Sequence, residues 1–292
     1  MILNLDPNFK PLDGEEISFK SFNFSGGEPH IKIIAPQPPE GEFIPSPVPP
    51  LGVRGLGATI THRLNSFNDL GLLCLAVDAL KRMDMELSTL IIPYFPAARQ
   101  DRVMVKGEPL SVKVYADIIN GLGFKKVMVF DAHSEVTPAV LNNCEVVTNH
   151  VFIKQVIEKI GAEVKLISPD GGALKKIYKV SEFLGGAEVV ECSKSRDVKT
   201  GKLTGFKVYA DNLNGQDCLI VDDICDGGGT FIGLAEELKK KNAGKLYLAV
   251  SHGIFSKGFE ELEKCFTHIF TTNSFKDLNH SCLTQIKLNE LL

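Results

Sequence analysis

The stretch Cys218 to Thr230, CLIVDDICDGGGT, constrains this chain more than any other. Four apolar residues, Cys218 to Val221, read as a short buried strand, and Asp222 and Asp223 follow at its end. Asp226 then opens the run Gly227, Gly228, Gly229, Thr230 ahead of a helical pattern. Glycines let a backbone approach a ligand closely and take positive φ, and the free N–H groups of a helix start form an anion site. Thr230 adds a hydroxyl donor. A phosphate therefore fits the glycine end, while the carboxylates of Asp222 and Asp223 suit sugar hydroxyls, directly or through a divalent cation. The plainer alternative is an acidic loop whose glycines serve only as a turn. A Walker A loop is excluded, because no GK[ST] follows.

Short β-rich apolar runs alternate with amphipathic segments along most of the chain, the pattern of parallel strands joined by helical crossovers. Strands are predicted at Ile31–Ile34, Leu90–Ile92, Lys126–Phe130, Val164–Ile167, Cys218–Val221 and Lys245–Val250. Helices are predicted over 68–82 and 230–242, the second with Phe231, Leu234, Ala235 and Leu238 on one face. A chain of 292 residues has room for two domains. Each half holds a strand, a polar loop, a helix and a further strand ending near a histidine, His133 or His252, so two similar halves are expected, 1–147 and 148–292. Residues 36–50, PQPPEGEFIPSPVPP, carry seven prolines and can form neither a helix nor a central strand. They read as an extended surface insertion.

Several classes fall away. No apolar run approaches the roughly 20 residues needed to cross a bilayer, and no basic-then-apolar leader opens the chain. Seven cysteines without a CxxC pair indicate neither a disulfide framework nor a zinc site, and fit a reducing cytoplasm. A net charge of −4 provides no global field for a nucleic-acid backbone.

VDDICDGGGT resembles the phosphoribosyl-diphosphate loop, VDD-x-x-DTGGT, shared by phosphoribosyltransferases and ribose-phosphate pyrophosphokinases. Gly227 stands where threonine is usual. Pro93 to Ser111, PYFPAARQDRVMVKGEPLS, could by itself be a solubilising surface loop, but it is similar to the PYF-x-YARQDR…P-[IL]-S loop of the pyrophosphokinases. Val129 to His133 (VFDAH) resembles their DLH segment, Ser168 to Gly172 (SPDGG) their SPD-x-GG, and Phe24 to Glu28 (FSGGE) their FSDGE, with Gly26 in place of aspartate. Glu191 to Asp197, ECSKSRD, resembles their basic catalytic loop and keeps lysine and arginine one residue apart. These matches are collinear from Phe24 to about Phe255, and Asn68–Asp69 fit the TND segment before the family's long helix.

The resemblance implies an α/β protein of two similar phosphoribosyltransferase-type domains, each with a mainly parallel central sheet flanked by helices. It implies transfer of the β,γ-diphosphoryl group of ATP to ribose 5-phosphate, giving phosphoribosyl diphosphate and AMP. ATP falls to Phe24, Gly27, Glu28, Arg99, Gln100, Asp101 and His133. Ribose 5-phosphate falls to Asp222, Asp223, Asp226, Gly227, Gly228, Gly229 and Thr230. Mg2+ falls to His133, Asp170 and Asp131, and charge neutralisation during transfer to Lys194 and Arg196. A cytoplasmic homo-oligomer built from dimers, up to a hexamer, is the expected state. Two rivals stand beside this reading: a non-catalytic regulatory homologue that binds nucleotide, and a phosphoribosyltransferase, in whose mechanism ARQD and SPDGG have no place.

Overall fold

A computed structural model describes residues 1–34, 55–196 and 203–292; the proline-rich stretch 36–50 lies outside them. The chain divides into two units, Met1–Val147 and Thr148–Leu291.

The first unit contains β1 (Ile2–Asn4), β2 (Ser18–Asn23), β3 (Pro29–Ile34), β4 (Gly57–Thr61), α1 (Phe67–Arg82), β5 (Glu86–Ile91), α2 (Ser111–Leu122), β6 (Lys126–Phe130), α3 (Val136–Val140) and β7 (Cys144–Val147). Five of its strands form one parallel sheet in the order β1-β4-β5-β6-β7. Helix α1 starts where it does because Ser66 caps it: its hydroxyl accepts from the Asp69 N–H at 3.2 Å and donates to Asp69 Oδ2 at 2.9 Å. Its buried stripe, Leu70, Leu73, Ala76, Val77 and Leu80, repeats at helical spacing and joins Ile60 and Leu90 of the sheet in one core.

Ile31–Ile34 is not a strand of the α/β alternation. It belongs to β3, which among the described residues pairs with β2 alone in an antiparallel hairpin, Ser18 opposite Ile34. The reason is visible in composition: β2 reads SFKSFN and is almost wholly exposed, and β3 buries only Ile31. A central parallel strand is covered on both faces and needs a continuous apolar run.

The second unit contains α4 (His150–Ile160), β8 (Lys165–Ser168), α5 (Leu174–Phe183), β9 (Val189–Arg196), β10 (Leu203–Val208), β11 (Cys218–Cys225), α6 (Gly229–Lys240), β12 (Leu246–Gly253), α7 (Glu260–Glu263), β13 (His268–Thr272) and β14 (Leu283–Ile286). Its sheet runs β10-β9-β8-β11-β12-β13-β14, parallel except for β10. β11 sits in the middle, with Cys218 to Val221 all buried and Cys218 and Ile220 in one core with Leu234 and Leu248.

Two expectations move here. β11 does not stop at Val221: its pairing with β12 continues to Cys225 opposite Gly253, so Asp222 and Asp223 lie on the strand and not in the turn. Ile224 and Cys225 are buried and carry the sheet past the acidic pair. β12 likewise runs on to Gly253 and takes His252 inside, where Nδ1 shares a 2.7 Å hydrogen bond with Ser274 Oγ. Among the described residues no helix is long and apolar enough to cross a membrane.

Candidate functional site

In the second unit the acidic glycine turn is built at the junction of β11 and α6. Gly228 precedes the helix with φ +77°, a left-handed conformation that suits glycine, and no side chain caps α6. Phe231 and Ile232 N–H turn back to the Gly228 carbonyl, and the Gly229 and Thr230 N–H groups at the start of α6 are the donors that face an anion. Gly227 has no positive φ, and a Cβ there would lie 3.4 Å from the methylenes of Lys257, an ordinary contact with a flexible chain. The family's threonine thus meets no steric bar. Two supports of the turn come from the chain after β12. Ser256 donates its hydroxyl to Asp226 Oδ1 at 2.6 Å and its N–H to the Asp226 carbonyl at 3.0 Å, while Ile254 and Phe255 both donate N–H to the Cys225 carbonyl. Leu262 of α7 packs beneath Gly228.

Near the turn stand Asp170, Asp222, Asp223 and Lys194. Asp170, after β8, accepts from Gly172 and Ala173 N–H at 2.8 and 3.0 Å through Oδ1, and its Oδ2 pairs with Lys194. Burial alone would raise the Asp170 carboxyl, but the Lys194 ammonium and the two N–H donors outweigh it and hold it below the usual range. Asp222 is pushed the other way, well above that range, by burial first and then by Asp223 and Asp170. Lys194 does not sit on a loop. It lies on β9, opposite Phe206 of β10, so the basic motif is a hairpin at the sheet edge. Arg196 is on the same strand, and its side chain lies outside the described part. The nearby Cys225 thiol is pushed up to about 12, by burial first and then by Asp222 and Asp226, which leaves it inert as a nucleophile.

In the first unit, the loop after β5 turns at Ala97, φ +56°, and leaves Arg99 and Gln100 exposed. Asp101, by contrast, is only 8% exposed. It accepts from Arg102 Nε at 3.0 Å. Burial would raise its carboxyl, yet hydrogen bonds from Arg102 and Ser134 and the charges of Arg102 and His133 bring it below the usual range. Asp101 thereby ties the ARQDR loop to the segment after β6 that carries Asp131 and His133. Asp131 is buried with φ +41°, its N–H donating to the Val147 carbonyl at 2.8 Å. The FSGGE turn closes the β2–β3 hairpin. Phe24 N–H donates to the Glu28 carbonyl at 2.9 Å, Gly27 takes φ +97°, and Phe24 is 54% exposed with its ring 5.0 Å from Phe22. A Cβ on Gly26 would lie 2.5 Å from a Glu28 carboxylate oxygen, so Glu28 fills the space that the family's aspartate would claim.

Ser256, Leu262, Arg102 and Ser134 escaped the sequence reading. Only the local string SHGIFS hinted at the first, through a histidine close to a strand end.

Comparison with known proteins adds the following. Residues 57–123 match the family described as the N-terminal domain of ribose phosphate pyrophosphokinase, and 150–280 match the phosphoribosyl transferase domain. Ribose-phosphate pyrophosphokinase of Mycoplasmopsis pulmonis is 31% identical over 223 residues, 74% of this chain and 68% of that one. The protein of the same name from Pyrococcus abyssi is 32% identical over 203 residues, 68% of each chain. Phosphoribosylpyrophosphate synthetase from Mycobacterium smegmatis superposes with a TM-score of 0.81 at 23% identity, covering 100% of this chain and 95% of that structure, and so shares its fold.

Proposed function

Because the chain belongs to the ribose-phosphate pyrophosphokinase family, we propose that it transfers the β,γ-diphosphoryl group of ATP to the anomeric hydroxyl of ribose 5-phosphate, yielding phosphoribosyl diphosphate and AMP. The observation that carries this reading is the cluster of Asp170, Asp222, Asp223 and Lys194 beside an uncapped helix start. It offers an anion site, sugar-hydroxyl acceptors and a fixed cation together.

Asp226, Gly227, Gly228, Gly229 and Thr230 take the 5-phosphate, through the α6 N–H groups and the Thr230 hydroxyl. Asp222 and Asp223 accept from the ribose hydroxyls; the raised Asp222 carboxyl holds a proton more readily than an ordinary carboxyl and can then donate as well as accept. The attacking hydroxyl reaches phosphorus directly, without a covalent enzyme intermediate. Lys194, with Arg196, neutralises the negative charge that grows on the phosphates. Arg99, Gln100, Glu28, Gly27 and the exposed face of Phe24 hold ATP, and Asp101 sets the geometry of Arg99 and Gln100 from below.

Asp170, Asp222 and Asp223 gather carboxylate oxygens beside Lys194, a donor set that fits a hard divalent cation. Asp170 in the second unit is assigned to Mg2+, and Asp131 and His133 in the first unit are assigned to it as a separate set. When bound, the ion withdraws charge from phosphate oxygens and aligns them. A homo-oligomer built from dimers belongs to the same proposal, and light scattering reads it.

The test is incubation of the purified chain with Mg2+, ATP and ribose 5-phosphate. AMP forming in step with phosphoribosyl diphosphate is expected. ATP consumption that yields ADP, or no turnover where a related enzyme is active, refutes the reading.

A further inference from the structure

Away from these loops, Glu263, His280 and Cys282 bring a carboxylate oxygen, an imidazole nitrogen and a thiol sulfur within 4.8 Å of one another. Those are the three donor types that zinc takes in proteins, at bond lengths of about 2.0–2.3 Å and tetrahedral angles. Two such donors on one ion stand roughly 3.4–3.6 Å apart. His280 Nδ1 and Cys282 Sγ are already 3.1 Å apart, so they need open by only a few tenths of an ångström.

The imidazole is in the form a metal needs. The Cys282 N–H, which can only donate, points at His280 Nδ1 at 3.4 Å, which puts the lone pair on Nδ1 and the proton on Nε2. The ring is fixed by stacking on Phe259, with centroids 4.6 Å apart and planes at 26°. Glu263 is exposed and the other two are half-buried, which leaves an entry path and a fourth position for water.

We propose that Glu263, His280 and Cys282 form a zinc site, with a solvent molecule completing the tetrahedron. Binding displaces the thiol proton to solvent and leaves a zinc-bound thiolate. The ion joins α7 to the segment entering β14. Helix α7 also carries Leu262, which packs under Gly228, and Phe259 lies 4.7 Å from Phe255, whose N–H holds the Cys225 carbonyl. The site is thus a clip behind the anion-binding turn. It rests on the fold of the second unit and not on the reaction proposed above.

Cobalt(II) is the probe, titrated into the chelator-treated full chain without substrates. Tetrahedral d–d bands and a thiolate-to-cobalt charge-transfer band are expected, saturating at one ion per chain and bleached by zinc. Cys282→Ser abolishes the charge-transfer band, Cys265→Ser keeps it, and His280→Ala or Glu263→Gln weakens binding ~10-fold or more. Glu263 is exposed, so its variant keeps the fold whatever the fate of the others; circular dichroism confirms this. No charge-transfer band at saturation, or one that survives Cys282→Ser, overturns the proposal and leaves a thiol–imidazole hydrogen bond in its place.

Discussion

Replacing Gly228 with alanine places two separate costs on one residue. Its φ of +77° is left-handed, which costs an L-residue about 1–2 kcal/mol. The new Cβ would also lie 3.0, 3.2 and 3.3 Å from Cδ2, Cγ and Cδ1 of Leu262. Leu262 is 3% exposed and has nowhere to retreat, so overpacking adds about 1–3 kcal/mol. The sum, about 2–5 kcal/mol, lowers the melting temperature by roughly 4–20 °C in a domain of this size. Gly229→Ala is the internal control: nothing lies within 4 Å of its Cβ, and the change is neutral or stabilises by about 0.4–1 kcal/mol. Leu262→Ala costs about 2–5 kcal/mol itself but removes the overlap, so the double variant Gly228→Ala/Leu262→Ala falls short of additivity by the overpacking share. Thermal unfolding followed by circular dichroism reads all four proteins, and calorimetry with inorganic phosphate reads the turn. A Gly228→Ala protein that melts within about 2 °C of the parent, or strictly additive variants, would refute the packing argument.

Gly227→Thr should be tolerated and should tighten ribose 5-phosphate by roughly 2- to 10-fold, the worth of one neutral hydrogen bond; unchanged affinity in calorimetry means the backbone already supplies that contact. Lys194→Met should lower kcat by ~100-fold or more in the AMP-release assay. The same variant tests the Asp170 pair. Because the folded-state pKa of Asp170 is depressed, its stabilisation is present above its unfolded value of about 4 and lost as pH falls through the folded one. Lys194→Met should therefore lose less stability than the parent between pH ~5 and pH ~2.5, and parallel melting curves across that range would count against the pair. Phe24→Ala should raise KM for ATP by roughly 5- to 150-fold through lost base stacking and leave KM for ribose 5-phosphate alone; a rise in both constants would point to a general structural role.

The parts of the fold that were legible are those whose local pattern has one reading. Cys218 to Val221 could only be a buried strand, and Leu70, Leu73, Val77 and Leu80 could only face a core from a helix. The hairpin that carries Lys194 was not legible. ECSKSR is polar and charged, and it becomes a strand because GFKV lies alongside it, Lys194 opposite Phe206, a pairing that no local pattern encodes. Asp222 and Asp223 misled for a similar reason: acidic residues after an apolar run look like a loop until β12 is seen to continue beside them. The glycine turn itself was plain from sequence, and so were the donors it offers. Its supports were hidden, since Ser256 lies 30 residues from the Asp226 it holds. Gly26 and Gly227 looked like losses in the motif. At Gly26 the Glu28 carboxylate occupies the space a side chain would need, whereas at Gly227 the Lys257 methylenes leave room for one at ordinary contact distance.

The dependence of Gly228 on Leu262 has a temporal side. Synthesis proceeds from the first residue upward, so the glycine turn leaves the ribosome before Ser256 and Leu262 exist to shape it. Until α7 has emerged, residues 226–229 have neither the hydroxyl that holds Asp226 nor the side chain that sets Gly228. The growing chain therefore shapes this turn late, only as β13 and β14 are about to complete the sheet.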